Sequence, residues 1–205
     1  MGKDARARFD EWSVTYEESL YWRLYFVPLH DMLESKIGQA QGSSVLDVGC
    51  GTGDMLRRME RLGAARLVGI DESEGMLRVA RELSREQPGI SYLSASAGAI
   101  PGEDERFDIV ISCVAFHHFP DPRASLREIA RVMKPGGRFF LCDLTSKGAM
   151  GRLCLTFGRM TRADERYFDA ESLAGMSEEA GLAVLETGMV RHLPPTVLLV
   201  ASKRA

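Results

Sequence analysis

The chain has 205 residues, of which 45% are hydrophobic and 27% are charged, and its formal net charge is −3. A chain of this length suffices for one α/β domain that buries roughly 70% of its unfolded surface, so stability requires neither disulfides nor a metal. The absence of a long basic run disfavours nucleic acid as a partner, because phosphate contacts need clustered lysine and arginine. With no signal-peptide core and no apolar run of the roughly 20 residues that span a bilayer, we expect a cytoplasmic protein.

The cysteines do not have the spacing of a metal site. Cys50, Cys113, Cys142 and Cys154 form no C-x-x-C motif and have no paired histidines nearby. Three of them fall at predicted strand ends inside apolar runs, which favours buried, reduced thiols. We therefore expect no metal in the protein.

The N-terminal part of the chain has the pattern of helices. Apolar side chains recur at helical spacing from about residue 16 to residue 37, and Pro28 is expected to divide this stretch into two helices. We interpret residues 1–43 as an N-terminal helical cap and residues 44–205 as the main domain, the two forming one structural unit.

From residue 44 onwards, short apolar runs alternate with amphipathic segments. The predicted strands are 44–49, 66–71, 90–94, 107–113, 137–143, 182–189 and 196–202, and the predicted helices are 53–62, 73–86, 121–134 and 169–180. This alternation predicts a parallel sheet with helices on both faces. The last two strands are joined by a short turn, which favours an antiparallel hairpin at the sheet edge. The expected fold is a single α/β domain with a seven-stranded, mostly parallel sheet and an antiparallel C-terminal strand.

A glycine-rich turn follows the first predicted strand in VLDVGCGTGD, residues 45–54. Its glycines permit positive φ and close approach of a ligand, and the helix beginning near Gly53 offers unpaired N–H groups. Asp71 ends the second predicted strand, where a carboxylate accepts both hydroxyls of a ribose held over the turn. A plain glycine turn and a dinucleotide site, normally G-x-G-x-x-G, are the alternatives. The early third glycine and the position of Asp47 favour a nucleoside that carries an amino acid.

Four segments, LDVGCGTG, GIDES, AIPGEDERFDIVISCVAFHHF and LREIARVMKPGGRFFLCD, follow one another between about residues 44 and 143. They resemble successive motifs of the class I (Rossmann-like) S-adenosylmethionine-dependent methyltransferases, particularly the ubiquinone/menaquinone-biosynthesis branch. YFDAESLAGMSEEAGL is similar to that family's final helix. The resemblance implies methyl transfer from S-adenosylmethionine to an O, N or C nucleophile of a small molecule, with S-adenosylhomocysteine as product. A dinucleotide-binding oxidoreductase and a non-catalytic cofactor-binding protein of the same fold remain as alternatives.

The resemblance also implies which residues hold the cofactor. Gly49 and Gly51 would line its methionine portion, and Asp47 would meet its amino group directly or through water. Asp71 would bind the ribose, and Met76 would pack beside the adenine.

The adenine end departs from the family pattern at one position. The family usually has Asp-Ala after the third strand, where this chain has Ser96 and Ala97. A serine hydroxyl still accepts one hydrogen bond, and the Ala97 N–H still reaches the adenine ring. By the same resemblance, Cys113 would lie near the methionine portion.

The candidates for chemistry follow the fourth and fifth predicted strands. Methyl transfer needs mainly alignment, and a general base only when the nucleophile arrives protonated. His117 is the preferred base over His118, although a structural role stays open for both. Asp143 would orient the substrate or cap the next helix. Tyr16 resembles the tyrosine of the family's N-terminal Y-D region, with Glu17 in place of the aspartate, and would close over the cofactor unless it only packs on the sheet.

Residues 145–167 are basic, rich in methionine and glycine, and lack a strong period. We interpret them as a mobile helix or lid. Their arginines would attract an acidic substrate, although a solvated face is the simpler interpretation; they are Arg152, Arg159, Arg162 and Arg166.

Overall fold

The structure is a computed structural model, and it describes residues 3–145, 166–190 and 194–204, with side chains from residue 7 onwards. Cys154 and nearly all of the segment interpreted as a lid, including Arg152, Arg159 and Arg162, lie outside the described residues.

Strands and helices alternate along the described chain as predicted. The strands are β1 Ser44–Val48, β2 Arg66–Asp71, β3 Ile90–Ser94, β4 Phe107–Cys113, β5 Met133–Leu144, β6 Leu182–Val190 and β7 Thr196–Lys203. The helices are α1 Lys3–Trp12, α2 Val27–Ile37, α3 Asp54–Arg61, α4 Glu74–Leu83, α5 Pro122–Val132 and α6 Ala170–Glu179.

The strands form one sheet in the order β3-β2-β1-β4-β5-β7-β6. The strands β1 to β5 pair in parallel, and β7 runs antiparallel to both of its neighbours, β5 and β6. The predicted seven-stranded, mostly parallel sheet with an antiparallel C-terminal strand is therefore confirmed. The order reverses between β1 and β4, and such a reversal leaves a crevice at the carboxyl ends of the strands.

The N-terminal helices are present, with two differences from the prediction. Helix α1 precedes the predicted stretch, and Pro28 does not divide that stretch, because the backbone is helical without a break from residue 20 to residue 37. Residues Trp22–Phe26 form a wider π-helical turn, and Pro28 follows in the first turn of α2. Proline has no N–H to donate, and Pro28 is tolerated here because the hydrogen-bond pattern changes where the π-helical turn passes into α2.

Both faces of the sheet are covered, and adjacent residues of one strand serve opposite faces. Val45 belongs to the same hydrophobic core as Leu29 and Leu33 of α2, whereas Leu46 belongs to the core that contains Leu126 of α5. This period of two is that of a strand buried on both sides. The N-terminal helices thereby share a core with the sheet, which fixes their position over its carboxyl edge.

Among the described residues, no helix is long and apolar enough to cross a membrane. That part of the chain also holds no cluster of three side chains suited to a metal ion.

Candidate active site

A cleft opens at the carboxyl ends of β1, β2 and β4, beneath the N-terminal helices. It contains about 850 Å³ of empty space, which includes the open solvent at its mouth. The predicted site residues that line it are Tyr16, Asp47, Gly49, Gly51, Asp71, Met76, Ala97 and Cys113. The described lining contains four carboxylates and two histidines but no lysine or arginine. This charge balance suits a ligand that carries positive charge.

The glycine turn between β1 and α3 has the backbone geometry that its sequence predicts. Gly49, Gly51 and Gly53 have φ of 78°, 51° and 82°, in the left-handed region that favours glycine. A Cβ at Gly49 would collide with Ala115, so this glycine permits close packing against the loop after β4. A Cβ at Gly51 would meet nothing within 4 Å, so the backbone there faces open space. The turn is therefore shaped to admit a ligand at Gly51.

Asp71, at the end of β2, holds the glycine turn in place. Its carboxylate accepts hydrogen bonds from the N–H of Gly51 at 3.0 Å and of Ser73 at 2.9 Å. Burial raises the pKa of Asp71, and the backbone hydrogen bonds from Ser73, Gly51 and Glu72 partly oppose that rise. A carboxylate offers about four acceptor sites. Asp71 therefore retains acceptor capacity for hydroxyl groups of a ligand.

Asp47 is a buried carboxylate without a partner in the described part of the chain. It is 3% exposed and lines the cleft, and no described residue donates a hydrogen bond to it or forms an ion pair with it. Burial, followed by the negative charges of Asp71 and Asp54, raises its pKa to about 8. Because an unpaired buried charge is unfavourable, this position favours a cationic group of a ligand.

The far end of the cleft is formed by α4 and the segment after β3. Met76 is buried in the first turn of α4, where its N–H donates to the Ser73 hydroxyl at 3.1 Å. Ala97 lines the cleft, but Ser96 does not, and the Ser96 hydroxyl accepts a hydrogen bond from the N–H of Gly98 at 3.4 Å. The structure thus brings Met76 and Ala97 together and leaves Ser96 out.

Helix α1 covers the same end. The Asp10 carboxylate accepts hydrogen bonds from the Ser73 hydroxyl at 2.5 Å and from the Gly75 N–H at 2.8 Å. Phe9, the preceding residue, lines the cleft. The sequence pattern does not predict α1, so Phe9 and Asp10 are not among the predicted site residues.

Aromatic side chains of the N-terminal helices form one wall of the cleft. Tyr16 is 8% exposed and packs edge-on against Phe26, with ring centroids 5.3 Å apart. Its hydroxyl has no hydrogen-bond partner among the described residues, and burial raises its pKa well above the usual value. Glu17, which departs from the family's aspartate, accepts hydrogen bonds from the Thr52 hydroxyl at 2.5 Å and from Arg57 at 2.7 Å. This contact joins the wall to the glycine turn.

His117 and Asp143 bind each other and do not line the cleft. The His117 Nδ1 lies 2.6 Å from one oxygen of Asp143, and the His117 N–H donates to the other oxygen at 2.7 Å. The ring of Tyr167 stacks on His117, with centroids 5.5 Å apart. The structure therefore does not bring the preferred base to the ligand space. His118 lines the cleft instead, with its ring edge-on to Phe9 at 5.2 Å.

A second histidine of the cleft, His30 of α2, is not among the residues predicted from the sequence. Its Nδ1 lies 2.8 Å from Asp54, the first residue of α3, and Arg58 donates to the same oxygen of Asp54 at 2.6 Å. Burial alone would raise the pKa of Asp54, but His30 and Arg58 outweigh it and hold that pKa well below the usual value. A histidine among the buried apolar positions of α2 is the sequence signal that identifies it.

Residues 46–141 match the methyltransferase domain family. The chain is 35% identical over 185 residues to the ubiquinone biosynthesis O-methyltransferase of Thiobacillus denitrificans, covering 80% of this chain and 78% of that protein. It is also 30% identical over 173 residues to methyltransferase GfsG of Streptomyces halstedii. That match covers 81% of this chain but only 62% of the relative, so the chain spans less than two thirds of that protein's length.

Solved structures have the same fold. A chain from the complex between the Haloferax volcanii Trm112 methyltransferase activator and a methyltransferase superposes with a TM-score of 0.82 at 22% identity, covering 96% of this chain and 98% of that one. The protein belongs to the methyltransferase domain family. It is an S-adenosylmethionine-dependent methyltransferase, which confirms the predicted resemblance and enzyme class and separates it from the dinucleotide-binding oxidoreductases.

Proposed function

We propose that the cleft binds S-adenosylmethionine and that the methyl group passes to a hydroxyl of a small, apolar, aromatic acceptor. The observation that carries the proposal is Asp47, a buried carboxylate that lines the cleft beside the glycine turn and has no partner among the described residues. S-adenosylmethionine supplies a methyl group already bonded to a positively charged sulfonium. The protein then has to bind, align and exclude water, and alignment alone accounts for much of the rate.

Each part of the cofactor has a matching group in the cleft. Asp47 binds the ammonium group of the cofactor's methionine portion. This portion lies over the open backbone at Gly51. Asp71 accepts hydrogen bonds from the ribose hydroxyls, and Met76 and Ala97 pack against the adenine. The excess of carboxylates in the described lining favours the positive sulfonium.

Cys113 has a passive role in this proposal. The hydrogen bond that the Cys113 thiol donates to the neighbouring Cys142, followed by burial, raises the pKa of Cys113 well above its usual value. A thiol that stays protonated is a weak nucleophile. Cys113 therefore contributes an apolar contact to the methionine portion.

The acceptor side is defined by the aromatic wall and by His118. Tyr16, Trp22 and Phe26 present flat apolar surface to the cleft, which suits an aromatic acceptor. The relative named for ubiquinone biosynthesis is an O-methyltransferase, which supports oxygen as the methylated atom. A hydroxyl arrives protonated, and His118 is the imidazole of the cleft on this side. His117 and Asp143 contribute to the stability of the loop that bears His118.

Two measurements test the proposal. Calorimetric titration with S-adenosylhomocysteine and with NAD should show binding of the first and none of the second. Incubation with S-adenosylmethionine and a matched pair of a catechol and the corresponding aromatic diamine should yield a methyl ether from the catechol, identified by mass spectrometry. Methylation of the diamine alone would contradict oxygen as the target. Binding of S-adenosylhomocysteine without turnover of any acceptor would favour the non-catalytic alternative.

A further inference from the structure

The amino-acid end of the cofactor brings a carboxylate as well as an ammonium group, and the cleft offers few partners for a carboxylate. The described lining has no lysine or arginine, and its two basic side chains are His30 and His118. His118 follows β4 and packs against Phe9 of α1. His30 lies at the glycine turn, because it bonds Asp54, which directly follows Gly53. His30 is therefore the basic group at the end of the cleft that would hold the methionine portion.

The ring of His30 is fixed so that one nitrogen is engaged and the other is available. The residue is 5% exposed, and its Nδ1 is bonded to Asp54 at 2.8 Å. Asp54 is itself held by Arg58, whose guanidinium also bonds Asp31 at 2.6 Å and Glu34 at 2.8 Å. The Nε2 of His30 has no partner among the described residues. A side chain fixed in this way binds a ligand with little loss of conformational entropy.

The His30 ring lies in a network of charged side chains. The charged groups of this network are the carboxylates of Glu17, Asp31, Glu34 and Asp54 and the guanidinium groups of Arg57 and Arg58. The carboxylates of this network outnumber its guanidinium groups. An imidazolium donates from Nδ1 and from Nε2 at the same time. In that form the His30 ring bridges the Asp54 carboxylate and a carboxylate of the ligand.

We propose that His30 recognises the methionine carboxylate of the cofactor through Nε2–H, with Asp54 as the positioning residue that orients its ring. This inference rests on the proposed binding of S-adenosylmethionine. It assigns the two charged groups of the methionine portion to different elements: the ammonium to Asp47 of β1 and the carboxylate to His30 of α2. Selectivity for the complete amino acid then depends on the N-terminal helices.

The test compares two probes by calorimetry, S-adenosylhomocysteine and its decarboxylated analogue, which keeps the nucleoside, the thioether and the amine. His30→Leu should weaken binding of S-adenosylhomocysteine about tenfold to a hundredfold, as expected for a hydrogen bond between charged groups, and leave the analogue within about twofold. Lys36→Leu is the matched control, because it removes another basic side chain of α2 that lies outside the cleft and bonds Glu186, and it should change neither affinity. Where His30→Leu does not fold, His30→Gln should give a smaller loss confined to the probe with the carboxylate.

The outcomes separate this inference from the proposed function. An equal loss for both probes in the His30 variants, or no loss for either, would overturn the role of His30 while cofactor binding stands. A loss confined to the carboxylate probe in His118→Gln or in Tyr16→Phe, with His30→Leu unaffected, would assign the carboxylate to that residue instead. Failure of the unaltered protein to bind S-adenosylhomocysteine would overturn the proposed function itself.

Discussion

His30 and His117 each bind an aspartate through Nδ1, at 2.8 and 2.6 Å, yet only His30 lines the cleft. The two carboxylates are also held differently. Asp54 receives a hydrogen bond from the Arg58 guanidinium, whereas Asp143 receives hydrogen bonds from the backbone N–H groups of His117 and Leu144. The pair at His30 thus belongs to a charged network beside the ligand space. The pair at His117 closes a turn inside the protein.

The difference shows that a bond to aspartate does not by itself mark a catalytic histidine. Such a bond fixes the tautomer and orientation of the ring in both pairs, and catalysis further requires that the other nitrogen reach the substrate. His117 is covered by Tyr167 and by the segment at Arg166, whose N–H donates to the His117 carbonyl at 3.0 Å. Its neighbour His118 has the access that His117 lacks.

The largest expected effect separates the two neighbouring histidines. We expect His118→Gln to lower turnover about 10²- to 10⁴-fold with S-adenosylhomocysteine affinity unchanged, because a general base contributes in that range. We expect His117→Gln to lower the free energy of unfolding and to leave turnover per folded molecule close to normal. Steady-state kinetics and urea unfolding of both variants provide the measurement. The reverse pattern would return the base to His117, as the sequence predicted.

The second prediction compares the two aspartates. Asp143→Ala should lower the free energy of unfolding by about 3–5 kcal/mol, because it leaves buried partners without their acceptor. Asp54→Ala should have a smaller effect, since the Asp54 side chain is 17% exposed and Arg58 keeps its bonds to Asp31 and Glu34. Urea unfolding of both variants at one pH provides the measurement. Equal losses of unfolding free energy would mean that the two histidine–aspartate pairs contribute equally to stability.

The cofactor half of the site was predictable because its residues are local in sequence. The glycine turn and its two flanking strands lie within residues 44–71, and each glycine has the backbone angle that the motif requires. The carboxylate of Asp71 lies where parallel strands necessarily bring it, at the edge shared with the turn. Pattern and spacing therefore suffice to place Asp47, Gly49 and Asp71 at the cleft, and their contacts with a cofactor stay a prediction.

The histidines of the cleft were not predictable in the same way. His30 meets Asp54 across two elements, and periodicity shows that His30 shares a helix face with apolar residues but not what it contacts. The choice between His117 and His118 depends on a 3₁₀ turn, Phe116–His118, that follows Val114 at a φ of 54°. Such a φ is unusual for a β-branched residue, and no sequence pattern predicts it. The direction of each histidine follows from this turn.

A third prediction concerns Asp71, a carboxylate held by backbone N–H groups rather than by a histidine. Asp71→Ala should weaken binding of S-adenosylhomocysteine by about 1.5–3 kcal/mol, the range for hydrogen bonds to a charged group. Calorimetry provides the measurement, and Glu74→Gln, at an exposed carboxylate in the first turn of α4, is the control. Unchanged affinity in Asp71→Ala would remove this residue from the cofactor site.

The last prediction concerns Asp47, which has neither a histidine nor a backbone donor among the described residues. Its pKa of about 8 means that the carboxyl is mostly protonated at pH 6 without a ligand, and it has to ionise to bind an ammonium group. Affinity for S-adenosylhomocysteine should therefore rise by up to about tenfold per pH unit between pH 6 and 8 and then level off. Asp47→Asn should bind more weakly, and its calorimetric affinity should lose this pH dependence.

The raised pKa of Asp47 also affects the stability of the ligand-free protein. This contribution to stability should fall as the pH rises, whereas the affinity for the ligand should increase. Because burial raises the folded pKa above the unfolded value of about 4, the unfolded chain binds fewer protons than the folded chain between that pH and about 8. The contribution of Asp47 to stability is thus full below pH 4 and is lost as the pH rises towards 8. The difference in unfolding free energy between the unaltered protein and Asp47→Asn isolates this contribution from other titrating groups. If that difference is constant across the range, the carboxyl is already ionised and has a partner, and the ammonium of the cofactor has to be assigned elsewhere.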